Sequence, residues 1–127
     1  MSAAALPLGV LLSRPGHEAA QLALMAATAA AAIGRPAVLF CTQAGVHLLR
    51  ADAPLADDAR EALATARGVA GTAELLEAAR ALDIRLIACD AALRMEGIAP
   101  DRLAAGVEVA GLVTFLSAVG AGPVVSP

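Results

Sequence analysis

Lysine, tryptophan and tyrosine are absent from this chain. Its nine basic residues are therefore all Arg, and they are scattered along the sequence. A nucleic-acid partner needs a clustered basic face, which a net charge of −3 and isolated Arg do not provide. Aromatics make up 2% of the residues, so stacking of bases, sugars or a flavin ring has almost nothing to work with. Two cysteines do not make a disulfide framework. Long apolar runs are also missing. The charge-free run from Ala19 to Gly34 is mostly Ala and stops short of the roughly 20 strongly apolar residues a membrane span needs. The run from Val109 to Pro127 is broken by Gly120, Gly122 and Pro123. The mean hydropathy of +0.73 thus reflects 35 Ala rather than a span. At the N-terminus, MSAAALPLGVLLS lacks a positive segment and carries Pro7 and Gly9, unlike a signal peptide. The expectation is a soluble, cytoplasmic protein with no membrane and no nucleic acid among its partners.

What remains is 127 residues, 59% hydrophobic, enough for one domain over 1–127 with its own core. Compact apolar runs of strand length occur at Leu6–Ser13, Ala37–Cys41, Ile84–Ala88 and Val107–Val109, with Val124 and Val125 as a short edge strand or a tail. Helical stretches lie between them. His17–Ile33 ends at Gly34 before Pro36, and a short helix begins at Thr42-Gln43. Asp57 or Asp58 caps a helix to about Arg67, and Thr72 caps another over Ala73–Leu82. Ala91–Met95 stops at Gly97, Pro100-Asp101 opens a further turn, and a last helix runs from Gly111 to about Val119. Apolar strands alternating with helices predict a three-layer α/β/α fold with a mainly parallel sheet of four or five strands.

In such a sheet the functional crevice lies at the carboxyl ends of the strands. The first strand end offers Ser13, Arg14, Gly16 and His17; the second offers Cys41, Thr42 and Gln43; the third offers Cys89 and Asp90. Parallel topology thus brings both cysteines to one edge. Cys89 sits where a strand meets a helix N-terminus, whose amides and dipole favour thiolate. Asp90 opposes this unless it turns away to cap the helix, and Arg14 is a possible counter-charge. Ala91 and Ala92 leave room for an added sulfur. The competing reading makes Cys89 a small buried hydrophobe. Cys41, ending an apolar strand, reads more simply as a core cysteine than as a resolving thiol. His17 is a candidate base or anion contact, with a solvated loop histidine as the ordinary alternative. His47 needs no functional reading. No C-x2-C or H-x3-H spacing marks a metal site, and Arg14-Pro15-Gly16 is neither a dinucleotide nor a Walker loop.

The stretch from Gly71 to Leu116 resembles the DsrE/DsrF-like family of sulfur-relay proteins, TusD-type members included. The resemblance is carried by an apolar strand ending in Cys89, then Ala91-Ala92-Leu93-Arg94, Gly97, Asp101-Arg102-Leu103, and Gly106-Val107-Glu108-Val109-Ala110-Gly111. The N-terminal half is similar too, with an Ala-rich helix followed by Ile33-Gly34-Arg35-Pro36-Ala37-Val38-Leu39-Phe40. The resemblance implies a DsrE-like domain assembling as a homotrimer or hexamer, alone or with paralogous subunits. It implies that Cys89 takes up sulfane sulfur as a persulfide and hands it to a partner thiol, with no cofactor and no metal. Donor and acceptor proteins with reactive cysteines are the implied partners. Some branches carry Ser or Thr shortly after the cysteine, where this chain has Ala92. Two alternatives stand beside the carrier: a non-catalytic oligomeric module binding a small ligand or partner protein, and a Cys41/Cys89 redox switch. Phe115 and Leu116 are candidates for a subunit interface.

Overall fold

The computed structural model describes residues 5–127, so the first four residues of the expected N-terminal apolar segment lie outside it. The first strand, β1, spans Leu8–Leu12. It starts later than the apolar run because Pro7 has no N–H to give a ladder. The strand β2 (Ala37–Cys41) is buried at every position, and β3 (Arg85–Cys89), β4 (Val107–Ala110) and β5 (Val124–Val125) follow. All pair in parallel, in the order β4-β3-β2-β1-β5. Five helices connect them: α1 (His17–Ala32), α2 (Ala59–Ala66), α3 (Thr72–Ala81), α4 (Asp90–Glu96) and α5 (Leu112–Val119). Short 3₁₀ helices at Gln43–Leu49 and Pro100–Arg102 complete the chain. The expected three-layer parallel fold is therefore present, with five strands.

The strand order sets the layers. From β1 to β4 the chain steps in one direction, and right-handed crossovers place the intervening helices on one face. The return to β5 runs the other way, which puts α5 on the opposite face. On the first face, α1 packs on β1 and β2 and against α3. Its buried stripe is Ala20, Ala23, Leu24, Ala27 and Ala30, at helical spacing, and the small side chains let the helix lie close to the sheet. On the second face, Phe115 of α5 stacks on Phe40 of β2 with ring centroids 5.0 Å apart. A Cβ at Gly9 would lie 2.6 Å from Val119 and 2.9 Å from Phe115, so α5 rests directly on the backbone of β1. Phe115 is thus wholly inside the protomer core, and only Leu116 of the two interface candidates is exposed.

Side chains alternate along a strand, so register assigns each residue to a layer. Phe40 pairs with Ile87 and Cys41 with Ala88. Cys41 and Ala88 therefore share the α1 face, while Cys89, one residue on, shares the α5 face with Phe40 and Ile87.

Candidate functional site

The carboxyl edge of the sheet gathers the ends of β1, β2 and β3, and the structure separates their residues more sharply than the sequence did. Cys41 is 0% exposed, and burial pushes its thiol pKa far up, which removes thiolate at neutral pH. Cys89 is buried but keeps 8% of its surface. It ends β3 beside Ala110 of β4 and serves as the N-cap residue of α4 with extended backbone. Because the two thiols project from opposite faces of adjacent strands, they are not placed to form a disulfide, which removes the geometric basis for the switch.

Asp90 begins α4, and its carboxylate accepts from Arg94 Nη2 at 2.6 Å, one helical turn on. Its charge is thereby compensated along the helix rather than spent on a cap. Ala92 is buried and Ala91 exposed. Arg14 is exposed and makes no hydrogen bond among the described residues. Its loop leaves β1, two strand spacings or about 10 Å from β3, and Asp90 has Arg94 instead. At the end of β2, Thr42 donates its N–H to the Leu12 carbonyl at 2.9 Å. Gln43 follows in the left-handed region at φ 49, an uncommon place for a residue with a Cβ. Its exposed side chain marks the sharp turn into the 3₁₀ helix.

His17 is not in solvent. It is 3% exposed, and its Nε2 meets Glu61 Oε1 of α2 at 2.6 Å. The same carboxylate accepts the N–H of Thr72 at 2.8 Å, the N–H of Ala73 at 3.1 Å and the Thr72 hydroxyl at 3.1 Å. Glu61 thus caps α3 from another helix and ties α1, α2 and α3 together. Thr72, the expected cap, lies inside the helix; the N-cap position is Gly71, which has no side chain to offer. A Cβ at Gly71 would stand 2.6 Å from Glu61 Oε1, so the glycine leaves room for the carboxylate. Burial pushes the Glu61 carboxyl up, but donation from Ala73, His17 and Thr72 outweighs it and holds the pKa at about 2. An ionised, acceptor-only Glu61 fixes the His17 proton on Nε2. His17 Nδ1 is left buried without a hydrogen-bond partner.

His47, given no role by sequence, is part of a second network. Its Nε2 meets Glu96 of α4 at 2.8 Å, and Arg50 Nη1 donates to its Nδ1 at 3.0 Å. Arg50 also chelates Asp52. This joins the 3₁₀ helix after β2 to α4 after β3, so two strand-end segments are braced together. Among the described residues, no group of three His, Cys, Asp or Glu side chains is placed to hold a metal ion. No helix there is long and apolar enough to cross a membrane.

Known proteins share this fold. The structure is similar to the crystal structure of the YchN protein from E. coli, with 20% identity, a TM-score of 0.72 and coverage of 97% of this chain and 99% of that one. It is also similar to MTH1491 from Methanobacterium thermoautotrophicum, a protein of unknown function, with 20% identity, a TM-score of 0.64 and coverage of 96% and 99%. At this identity the likeness establishes the fold. No curated protein matches the sequence. The profile of the DsrE/DsrF-like family matches residues 8–125, and the chain belongs to that family.

Proposed function

We propose that this protein relays sulfur by carrying sulfane sulfur as a persulfide on Cys89. Family membership supports a sulfur-relay-related role. The observation that carries the finer reading is the division between the two thiols: Cys41 is sealed in the core, and Cys89 alone keeps surface at the carboxyl edge of the sheet. In the loading step the Cys89 thiolate attacks the terminal sulfur of a donor persulfide, forming a sulfur–sulfur bond and releasing the donor thiolate. In the unloading step an acceptor thiolate attacks the terminal sulfur of the Cys89 persulfide, which restores the Cys89 thiolate. Neither step changes the total electron count, and neither calls for a cofactor or metal. Donor and acceptor are proteins presenting reactive cysteines.

Assembly as a homotrimer or hexamer is part of the same reading. Leu112, Val113 and Leu116 are exposed on α5, Val113 at 79%, and Val124 of β5 is exposed as well. Burying this strip against further subunits removes apolar surface from water. Protein loaded with isotopically labelled sulfur, freed of donor and mixed with a cysteine peptide should pass the label to the peptide. Label that stays on the protein would contradict a relay role, and a stable monomer by sedimentation would contradict the assembly.

A further inference from the structure

Thr42 stands at the N-cap of the 3₁₀ helix that follows β2, a position where a Thr hydroxyl ordinarily accepts a backbone N–H of the first turn. It accepts none here. Gln43, in the left-handed region at φ 49, turns the chain sharply at the first helical residue, so the capping geometry is not formed. Thr42 is half-buried, and among the described residues its hydroxyl is neither sealed in the core nor bonded to another side chain.

Register says what the hydroxyl faces instead. Thr42 keeps extended backbone, at φ −132 and ψ 173, and its N–H continues the β1 ladder to Leu12. The pairing of Phe40 with Ile87 and of Cys41 with Ala88 therefore carries on to Thr42 beside Cys89. Alternation puts both side chains on the α5 face, one strand spacing or about 5 Å apart. Neither β2 nor α5 brings a charged residue to that face. The charges at hand are already paired, Asp90 with Arg94 and, at the start of β3, Arg85 with Glu108. Ala91 and Ala92, which follow Cys89, bring no hydroxyl. A thiolate so placed needs a donor, and a hydrogen bond to anionic sulfur is stronger than one to the neutral thiol.

We propose that Thr42 is a catalytic group of the sulfur relay, its hydroxyl donating to the Cys89 thiolate and, after loading, to the persulfide. The inference rests on Cys89 as the carrier. A sulfur–sulfur bond of about 2 Å keeps the added atom within range of the same hydroxyl. No bond to Thr42 forms or breaks, and the hydroxyl keeps its proton throughout.

The ultraviolet absorbance of the thiolate can be titrated directly, because no Trp or Tyr absorbs beneath it, with Cys89→Ala as the blank. Thr42→Val keeps the side-chain shape and the backbone bond to Leu12 but lacks the donor, and Thr42→Ser restores it. At a fixed pH where wild type is partly ionised, the thiolate-to-thiol ratio should fall about tenfold in Thr42→Val. Thr42→Ser should recover most of it. Uptake from a sulfane-sulfur donor, followed by intact mass, should slow in Thr42→Val and recover in Thr42→Ser. A Thr42→Val ratio equal to that of wild type, or a Thr42→Ser ratio as low as that of Thr42→Val, would overturn the role of Thr42 alone. Wild type that ionises but takes up no sulfur would overturn the carrier reading, and the catalytic role of Thr42 with it.

Discussion

Replacing Glu61 by Ala removes one carboxylate that serves three helices, and the structure allows the cost to be worked out. The first turn of α3 loses the acceptor for the Thr72 and Ala73 N–H groups, a loss comparable to an N-cap deletion of about 1 kcal/mol. His17 Nε2–H is left buried beside a cavity, which costs a further 1–3 kcal/mol or so. The expected destabilisation is about 2–4 kcal/mol, a large share of the stability of a domain this size. The pH dependence gives a second, independent reading. The Glu61 pKa falls from an ordinary 4.5 to about 2 on folding, so the unfolded chain takes up this proton first as pH falls. The stabilisation is complete above about pH 4.5 and is lost as pH falls through about 2. Linkage sets a ceiling of about 3 kcal/mol, and solvent near the carboxylate reduces the expectation to about 1–2 kcal/mol. The assay is urea denaturation followed by far-UV circular dichroism, because the chain has no Trp or Tyr to report by fluorescence. Wild type and Glu61→Gln should converge by about 1–2 kcal/mol between pH 6 and pH 2.5, since other carboxylates cancel in the difference. A Glu61→Ala cost below about 1 kcal/mol, or parallel pH profiles for wild type and Glu61→Gln, would refute the clasp.

Three further outcomes follow from the packing. Phe115→Ala opens a cavity against Phe40 and should cost about 3–5 kcal/mol by the same denaturation, whereas Leu116→Ala, on the exposed side of α5, should cost far less in the monomer. Gly9→Ala drives a methyl into Val119 and Phe115 and should cost about 1–3 kcal/mol, with a lowered midpoint and an unchanged denaturant slope. A native-state thiol count with a maleimide should leave Cys41 unlabelled until urea is added, because it is fully buried.

The sheet was legible in the sequence because parallel strands buried on both faces read as continuous apolar runs. Ala37–Cys41 is the clearest case, and it is buried at all its positions. Helix stops at Gly34 and Gly97 were legible for local steric reasons. The clasp was not, because its members lie far apart in the chain: His17 and Glu61 are separated by 44 residues. Read locally, Thr72 is a good cap and Glu61 a solvated residue on a short polar helix. The available signal was the pair Gly71-Thr72, a helix start whose N-cap position brings no acceptor of its own. The layer of each cysteine was equally hidden. Taking β3 as Ile84–Ala88 instead of Arg85–Cys89 shifts the strand by one residue, and facing depends on a register that only pairing with β2 fixes. The strand ends therefore indicated where to look without saying that Cys41 and Cys89 point apart.

The central claim concerns which thiol takes the sulfur. Reduced wild type, Cys89→Ala and Cys41→Ala should be incubated with a sulfane-sulfur donor, freed of it and weighed intact by mass spectrometry. Wild type and Cys41→Ala should each gain one sulfur atom per chain, and Cys89→Ala should gain none. Loading that persists in Cys89→Ala, or wild type that takes up no sulfur under conditions that load a known carrier, would contradict the assignment of Cys89 as the carrier.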